Sequence, residues 1–363
     1  MSALFWTMKT RVLLGLLPLL APAPTSGQFV EIRVSAHVIV HPTTGARPAG
    51  ITDNVFYIAA ANANLWMARY YRGYRFRITE ITNVGGPSQG GSSGPSKWFG
   101  LDFRDTPEPW NTFQNETQSD IRYQLRSDQV NFYIATDLAG GGGGACPIPP
   151  VGASQIACQG FVNTGPFWLV HETGHFFGLS HTHGGCGCPS TDGCVLTNGF
   201  WVGDDGIADT LPEGAGDFCF TTRDHLARAN FNKFYTSCTP VEQALVDDTF
   251  FNVMSYHLPD TKDQVEDRMT ELQLDLHADT ANSSRASFVS GSTVFVRTFA
   301  LPFLENGSSR FPFDTVAEGV SAASANGTDI VLLRGGNYNE RLTINKRVTL
   351  RATRTGWATI GKP

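Results

Sequence analysis

The sequence predicts an α+β fold with a twisted mixed sheet, followed by a short β-rich C-terminal segment. Three stretches rich in β-branched residues, at 29–40, 75–84 and 129–136, indicate strands. Between the first two, apolar residues recur at helical spacing from 51 to 71. After about residue 287 the pattern changes to short strands separated by turns. This order of elements predicts helices packed on one main sheet.

Composition and the N-terminus narrow the class of protein. Of its 363 residues, 41% are hydrophobic and 17% charged, so the chain can build a sizeable core. The formal net charge is −6 and no basic run occurs, so nucleic acid is not an expected partner. Lys9 and Arg11 precede an apolar run at 12–20, which is typical of a secretory signal peptide over residues 1–27. That run is too short to cross a bilayer, so the chain is predicted to be secreted, extracellular and without a membrane anchor.

Smaller elements complete the prediction. Thr52 or Asp53 is expected to cap the first helix, and residues 118–127 are expected to form a short helix. The edge strand of the sheet is expected between residues 145 and 161. The next helix is predicted to begin at Pro166, since proline favours the first helical position.

That next helix carries the residues with the clearest chemistry. His171, Glu172 and His175 form an H-E-x-x-H motif, and positions i and i+4 lie on one face of a helix. Gly178 can adopt a positive φ and end the helix, so the chain can offer His181 as a third ligand. Three neutral imidazoles suit zinc and leave a fourth position for water, with Glu172 placed as general base. The short motif also fits an ordinary surface helix, but the extended pattern gives every fixed residue a role.

A second pattern, N-x-M-x-Y, lies downstream at 252–256. With the extended zinc motif, it resembles the methionine turn of the metzincin clan of zinc peptidases. The resemblance implies that Met254 forms an apolar floor beneath the metal. It also implies that Tyr256 approaches the zinc or the oxyanion of the transition state, although a buried structural tyrosine fits this position equally well.

Three segments, at 171–182, 205–212 and 252–256, are similar to the pappalysin family within that clan. The resemblance extends over about residues 29–285. It implies a zinc endopeptidase whose protein or peptide substrates bind in extended form along an edge strand. His183 stands where that family usually carries an aromatic residue, and it is expected at the surface or behind the ligands rather than as a competing ligand.

Asp204, Asp205 and Asp209 are oxygen donors close together in sequence. Related enzymes bind calcium in this loop, so the resemblance implies a calcium site formed by these three residues. The alternative is a capped turn with solvated carboxylates.

Seven cysteines in a secreted chain predict disulfides, and the odd number leaves at least one over. We expect Cys146 to pair with Cys158, and Cys219 or Cys238 to pair with a cysteine of the 186–194 group. A structural zinc site at that group is the weaker interpretation, because oxidising export disfavours thiolate ligands.

The C-terminal segment resembles the opening of a right-handed parallel β-helix, as in pectate-lyase-like proteins. Residues 336–340 and 346–350 carry the resemblance. About three stacked rungs are usually needed for stability, so a shorter stack must pack on the main domain, pair with another chain or be poorly ordered. The predicted organisation is a signal peptide (1–27), a zinc peptidase domain (28–287) and a β-helix-like segment (288–363).

Two further interpretations stay open from sequence. One is a catalytically silent zinc protein that binds surfaces or carbohydrates through its C-terminal segment. The other is a glycan-active enzyme, for which the small number of rungs is unfavourable. Fold analogy alone supports neither, and the sequence does not indicate an oligomeric state.

Overall fold

The computed structural model describes residues 29–101, 107–135, 145–149, 157–159, 167–186, 194–214, 222–255, 257, 268–300, 304–354 and 356–361. The signal peptide, Pro166 and Tyr256 lie outside these residues. The helices are α1 Asp53–Ala68, α2 Pro107–Ser119, α3 Phe167–Phe176, α4 Arg223–Phe231, α5 Pro240–Phe250, α6 Glu271–Asn282 and α7 Val316–Ala322. The strands are β1 Val30–Val40, β2 Tyr74–Gly85, β3 Val130–Ile134, β4 Ala157–Gln159, β5 Val195–Thr197, β6 Phe200–Val202, β7 Thr293–Val296, β8 Asn326–Leu333, β9 Gly336–Tyr338, β10 Arg347–Ala352 and β11 Ala358–Ile360. Within these residues no helix is both long enough and apolar enough to cross a membrane.

The main sheet has the strand order β2-β1-β3-β4. Its three pairings are all parallel, so the antiparallel strand of the predicted mixed sheet is not among the described strands. The strands predicted at 29–40, 75–84 and 129–136 are confirmed to within two residues. Parallel pairing of β1 with β2 requires a crossover, which α1 provides by packing its predicted apolar stripe on the sheet. Thr52 is the N-cap residue of α1, although its side chain makes no capping hydrogen bond.

The helix predicted at 118–127 is wrong. The chain instead forms α2 earlier, followed by a single 3₁₀ turn at 121–123. Asp120 turns the chain out of the helix by accepting a hydrogen bond from the backbone N–H of Arg122, and Gln124 adopts a left-handed φ of 57°. The two prolines in the first turn of α2 obscured its pattern, although prolines are tolerated there.

The edge of the described sheet lies where it was predicted, between residues 145 and 161. β4 is only three residues long and pairs with β3. Gln114 of α2 binds β4 through its side-chain amide, which donates to the carbonyl of Ala157 at 2.5 Å. The predicted Cys146–Cys158 disulfide is confirmed and joins this edge strand to the segment before it.

The C-terminal segment stacks short strands in parallel. β8 lies between β7 and β10, and β9 pairs with β11. Phe295, Ile330 and Leu332 belong to the same buried cluster as the strands of the main sheet. Of the three predicted outcomes for this segment, packing on the main domain is therefore the one observed.

A buried group of charges joins the same two parts, and we call it the Arg72 network. The Arg72 guanidinium forms ion pairs with Glu271 and Asp275 of α6, the latter at 2.8 Å. Arg334, just after β8, pairs with the same two carboxylates. Burial raises the pKa of Asp275 even though two arginines favour its charged form.

His37 lies wholly buried on β1. Its Nε2 lies 3.0 Å from Oδ1 of Asn131, and its Nδ1 lies 2.9 Å from Oγ1 of Thr82. The Asn131 amide already donates to two backbone carbonyls, so its Oδ1 accepts from His37 and the Thr82 hydroxyl can donate to Nδ1. This arrangement suits a neutral imidazole, and burial lowers the pKa of His37 to about 4.

We therefore expect the free energy of unfolding to fall as the pH drops from 6.5 toward 4. The unfolded chain protonates His37 near pH 6.5 and the folded chain only near pH 4, so protons favour the unfolded state in this window. The full loss for His37 is about 3 kcal/mol. Urea unfolding at pH 7 and pH 5 should show a smaller pH dependence for His37→Gln than for the unaltered chain. Equal pH dependence in the two proteins would contradict this assignment.

Candidate metal centre

The centre is built on α3, a helix buried in the core. Its apolar residues Trp168, Leu169 and Val170 pack in the main hydrophobic cluster. The predicted metal ligands His171 and His175 are also buried, at positions i and i+4. α3 ends at residue 176, and the chain then turns so that His181 comes back toward the helix. The helix predicted around this motif is confirmed.

The three histidines converge through their Nε2 atoms. His171 and His175 are separated by 3.2 Å, His175 and His181 by 3.0 Å, and His181 and His171 by 3.3 Å. Two ligand atoms of a tetrahedral zinc lie about 3.3 Å apart, given Zn–N bonds of about 2.0–2.1 Å. The three atoms therefore fit one triangular face of a zinc site, and the group can hold a metal ion.

The hydrogen bonds behind two of the rings are compatible with metal binding at Nε2. Nδ1 of His171 donates to the carbonyl of Val253 at 2.6 Å, and Nδ1 of His175 donates to that of Leu179 at 2.7 Å. With Nδ1 protonated, each neutral ring turns an Nε2 lone pair toward the centre. Burial lowers the pKa of His175 to about 4, and burial together with the neighbouring histidines also lowers the pKa of His181. Lone pairs that converge in this way suit a shared cation.

Two glycines allow the close packing around these ligands. Gly178 has a φ of 97°, as the sequence predicted, and a Cβ there would lie 2.8 Å from Oγ1 of Thr280. Gly174 packs against the predicted floor residue, because a Cβ there would lie 2.7 Å from Sδ of Met254. Met254 is fully buried. The sequence analysis assigned no role to Gly174, although a glycine inside a helix and beside His175 indicates close packing at that point.

Glu172 is buried on the same helical turn as the ligands. Tyr256, the other predicted catalytic residue, lies outside the described residues, and its role stays a prediction. His183 is buried rather than at the surface, and its ring stacks on that of His181 with centroids 4.9 Å apart and planes 18° apart. It therefore lies behind a ligand, which is one of its two predicted positions.

The three aspartates of the predicted calcium site do not converge into a three-carboxylate group among the described residues. Asp204 accepts from the N–H of Gly206, and Asp205 accepts from the N–H of Ile207 and the hydroxyl of Thr210. The third carboxylate, Asp209, accepts from Thr270 and from the N–H of Leu272 at the start of α6. These are turn and helix-capping contacts, as the capped-turn alternative predicted. Calcium binding by the three residues stays a prediction.

The cysteine prediction for this region is wrong in part. Cys186 pairs with Cys194, only eight residues away, and Cys238 is a buried free thiol. Cys238 therefore does not reach the 186–194 group, while Cys188 and Cys219 lie outside the described residues. Because Cys186 and Cys194 are already joined, they are not thiolate ligands of a second zinc site.

Sequence reasoning also missed three residues around the ligands. Glu213 is wholly buried, accepts a hydrogen bond from the hydroxyl of Thr182, and lies 2.8 Å from Nε2 of His257. The sequence around Glu213 does not indicate these contacts, because Thr182 and His257 lie 31 and 44 residues away along the chain.

Comparisons with known proteins leave the family open. No family model matches the chain, and no curated protein matches it. The solved structures that resemble it include mature mirolysin of Tannerella forsythia in complex with a cleaved peptide, at 14% identity and a TM-score of 0.41, covering 72% of this chain and 95% of that one. A promirolysin mutant of the same organism gives 13% identity and a TM-score of 0.40, covering 73% and 85%. A chaperone–substrate complex gives 15% identity and a TM-score of 0.27, covering 45% of this chain and 25% of that one. At these TM-scores the likeness assigns the chain neither a family nor an activity.

Proposed function

We propose that the chain is a secreted zinc-dependent endopeptidase of the metzincin clan, similar to the pappalysins. The observation that carries the proposal is the convergence of three Nε2 atoms, 3.0–3.3 Å apart, from His171, His175 and His181. The order of the ligands, the glycine turn at Gly178 and the methionine beneath the helix all support it.

The residues have distinct roles in this reaction. His171, His175 and His181 would hold the zinc, which when bound supplies Lewis-acid activation of water and of the scissile carbonyl. Glu172 takes a proton from the attacking water and later delivers it to the leaving amine. The carbonyls of Val253 and Leu179 fix the ring orientation of two ligands.

We also propose that residues 288–363 form the opening of a parallel β-helix. The parallel pairs β8–β10 and β9–β11 support this, since each stacks a later strand directly on an earlier one. The unpaired edge of such a sheet can accept a further strand. The apolar contacts of β8 with the main core stabilise the segment although it has only a few stacked strands.

Metal removal tests the proposed activity. A chelator should abolish digestion of casein by the purified chain, and stoichiometric zinc should restore it, because activation of water depends on the metal. Magnesium added in place of zinc is the control, since three imidazoles suit it poorly. Digestion that continues in the chelator would overturn the proposal. A chain that holds zinc and cleaves neither casein nor gelatin would favour the silent binding protein instead.

A further inference from the structure

A buried carboxylate stands behind the third ligand. Glu213 and His257 both have completely buried side chains, and Nε2 of His257 lies 2.8 Å from Oε2 of Glu213. The other carboxylate oxygen accepts from the hydroxyl of Thr182, which is itself buried. His257 also stacks on Phe250, with ring centroids 4.1 Å apart.

The backbone of Glu213 is fixed as firmly as its side chain. Its N–H donates to the carbonyl of Gly203 and its carbonyl accepts from the N–H of Gly203, both at 2.9 Å. Gly203 in turn touches the ligand turn, because a Cβ there would lie 2.1 Å from the carbonyl oxygen of His183. The carboxylate is therefore held in place relative to residues 182–183.

Both partners of this carboxylate adjoin the metal centre. Thr182 follows the ligand His181 directly, and its N–H donates to the carbonyl of Met254 at 3.3 Å. His257 lies three residues after Met254. Glu213 thus joins the turn that carries the third ligand to the segment that leaves the methionine turn.

A buried carboxylate is seldom the side chain that stabilises a core most. Apolar side chains of similar volume often give equal or greater stability, while a buried carboxylate needs all its hydrogen bonds. The two hydrogen bonds of Glu213 have fixed directions, and they restrain a turn that lies beyond the end of α3. His171 and His175 are positioned by a helix, whereas His181 depends on contacts of this kind.

We propose that Glu213 is a positioning residue of the metal centre, which acts through Thr182 and His257 to hold His181 in its zinc-binding place. The inference rests on the proposed zinc site but not on its peptidase activity. Contacts behind metal ligands commonly change metal affinity by about 10–100-fold.

Zinc affinity, measured by competition with a chromophoric chelator, tests the proposal. Thr182→Val, which removes the hydroxyl at nearly constant volume, should weaken zinc binding about 10-fold. Thr182→Ser keeps the hydroxyl and should bind zinc like the unaltered chain. Glu213→Gln should weaken binding at least as much as Thr182→Val, because its amide turns a donor toward one of the two partners. The absorption spectrum of the cobalt-substituted chain should change in Thr182→Val and not in Thr182→Ser.

A matched control separates positioning from general stability. Asp275→Asn disturbs another buried carboxylate, in the Arg72 network, and should lower the thermal midpoint while leaving the zinc dissociation constant within about twofold. The proposal is overturned if Thr182→Val and Glu213→Gln lose stability as this control does but keep the zinc affinity of the unaltered chain. If the unaltered chain binds no zinc, the proposed function fails and this inference fails with it. Zinc binding without peptidase activity would overturn only the proposed function.

Discussion

Replacing Glu172 with glutamine is expected to lower peptide hydrolysis by about 10²–10⁴-fold or more. The amide has the size of the carboxylate but cannot take a proton from water. Glu172 is buried on the turn between His171 and His175, so an isosteric change leaves the positions of the ligands intact. Zinc content should therefore stay at one ion per chain. The measurement is the rate of casein digestion alongside metal analysis of the same preparation.

Glu80→Gln is a suitable control for the loss of a carboxylate. Glu80 pairs with Arg126, whose side chain is 46% exposed, and the substitution should leave the hydrolysis rate unchanged. If Glu172→Gln kept more than a tenth of the activity, the residue would not be the general base. If it lost zinc as well as activity, its role would be structural.

Replacing Arg72 with methionine is expected to lower the free energy of unfolding by about 3–5 kcal/mol, the usual loss when one partner of a buried ion pair is removed. The methionine keeps most of the hydrocarbon volume, so the effect reports the charge. Arg72 is almost completely buried, and among the described residues Arg334 would be left as the ion-pair partner of both Glu271 and Asp275. Urea denaturation at neutral pH measures the change.

Arg126→Met is the matched control for this effect. Its ion pair with Glu80 is as close as those of Arg72, but the Arg126 side chain is 46% exposed. Solvent screening should keep that loss below about 1 kcal/mol. A second test adds Asp275→Asn to Arg72→Met, and the double variant should be less destabilised than the sum of the two single changes. Equal losses for Arg72→Met and Arg126→Met would mean that burial adds nothing to this network.

The elements predicted well are those whose signal is local. The strands of the main sheet follow from runs of β-branched residues, and α1 follows from one apolar stripe. The convergence of the three histidines follows from spacing alone, because a helix and one glycine turn bring positions 171, 175 and 181 together. The Cys146–Cys158 pair also spans a short separation of 12 residues.

The features that were missed depend on distant partners or on competing local contacts. Glu213 became part of the centre only through residues 31 and 44 positions away. The carboxylate of Asp209 accepts a hydrogen bond from Thr270 at the start of α6, 61 residues later, and the sequence around Asp209 does not indicate that contact. The short helix expected after residue 118 failed because one aspartate side chain competes with the helix for a backbone N–H.

Because β8 shares a hydrophobic core with the main sheet, the C-terminal segment cannot be exchanged freely by recombination. Ile330 and Leu332 fill space between elements that precede residue 287, and Arg334 neutralises carboxylates on α6. A recombination point at 287 would leave an apolar hole in the main core, and it would leave the carboxylates of Glu271 and Asp275 with Arg72 but without Arg334. The C-terminal segment is therefore not an interchangeable module. A library that moves this segment onto unrelated proteins should yield soluble protein mainly where the facing surface of the host sheet is exchanged together with the segment.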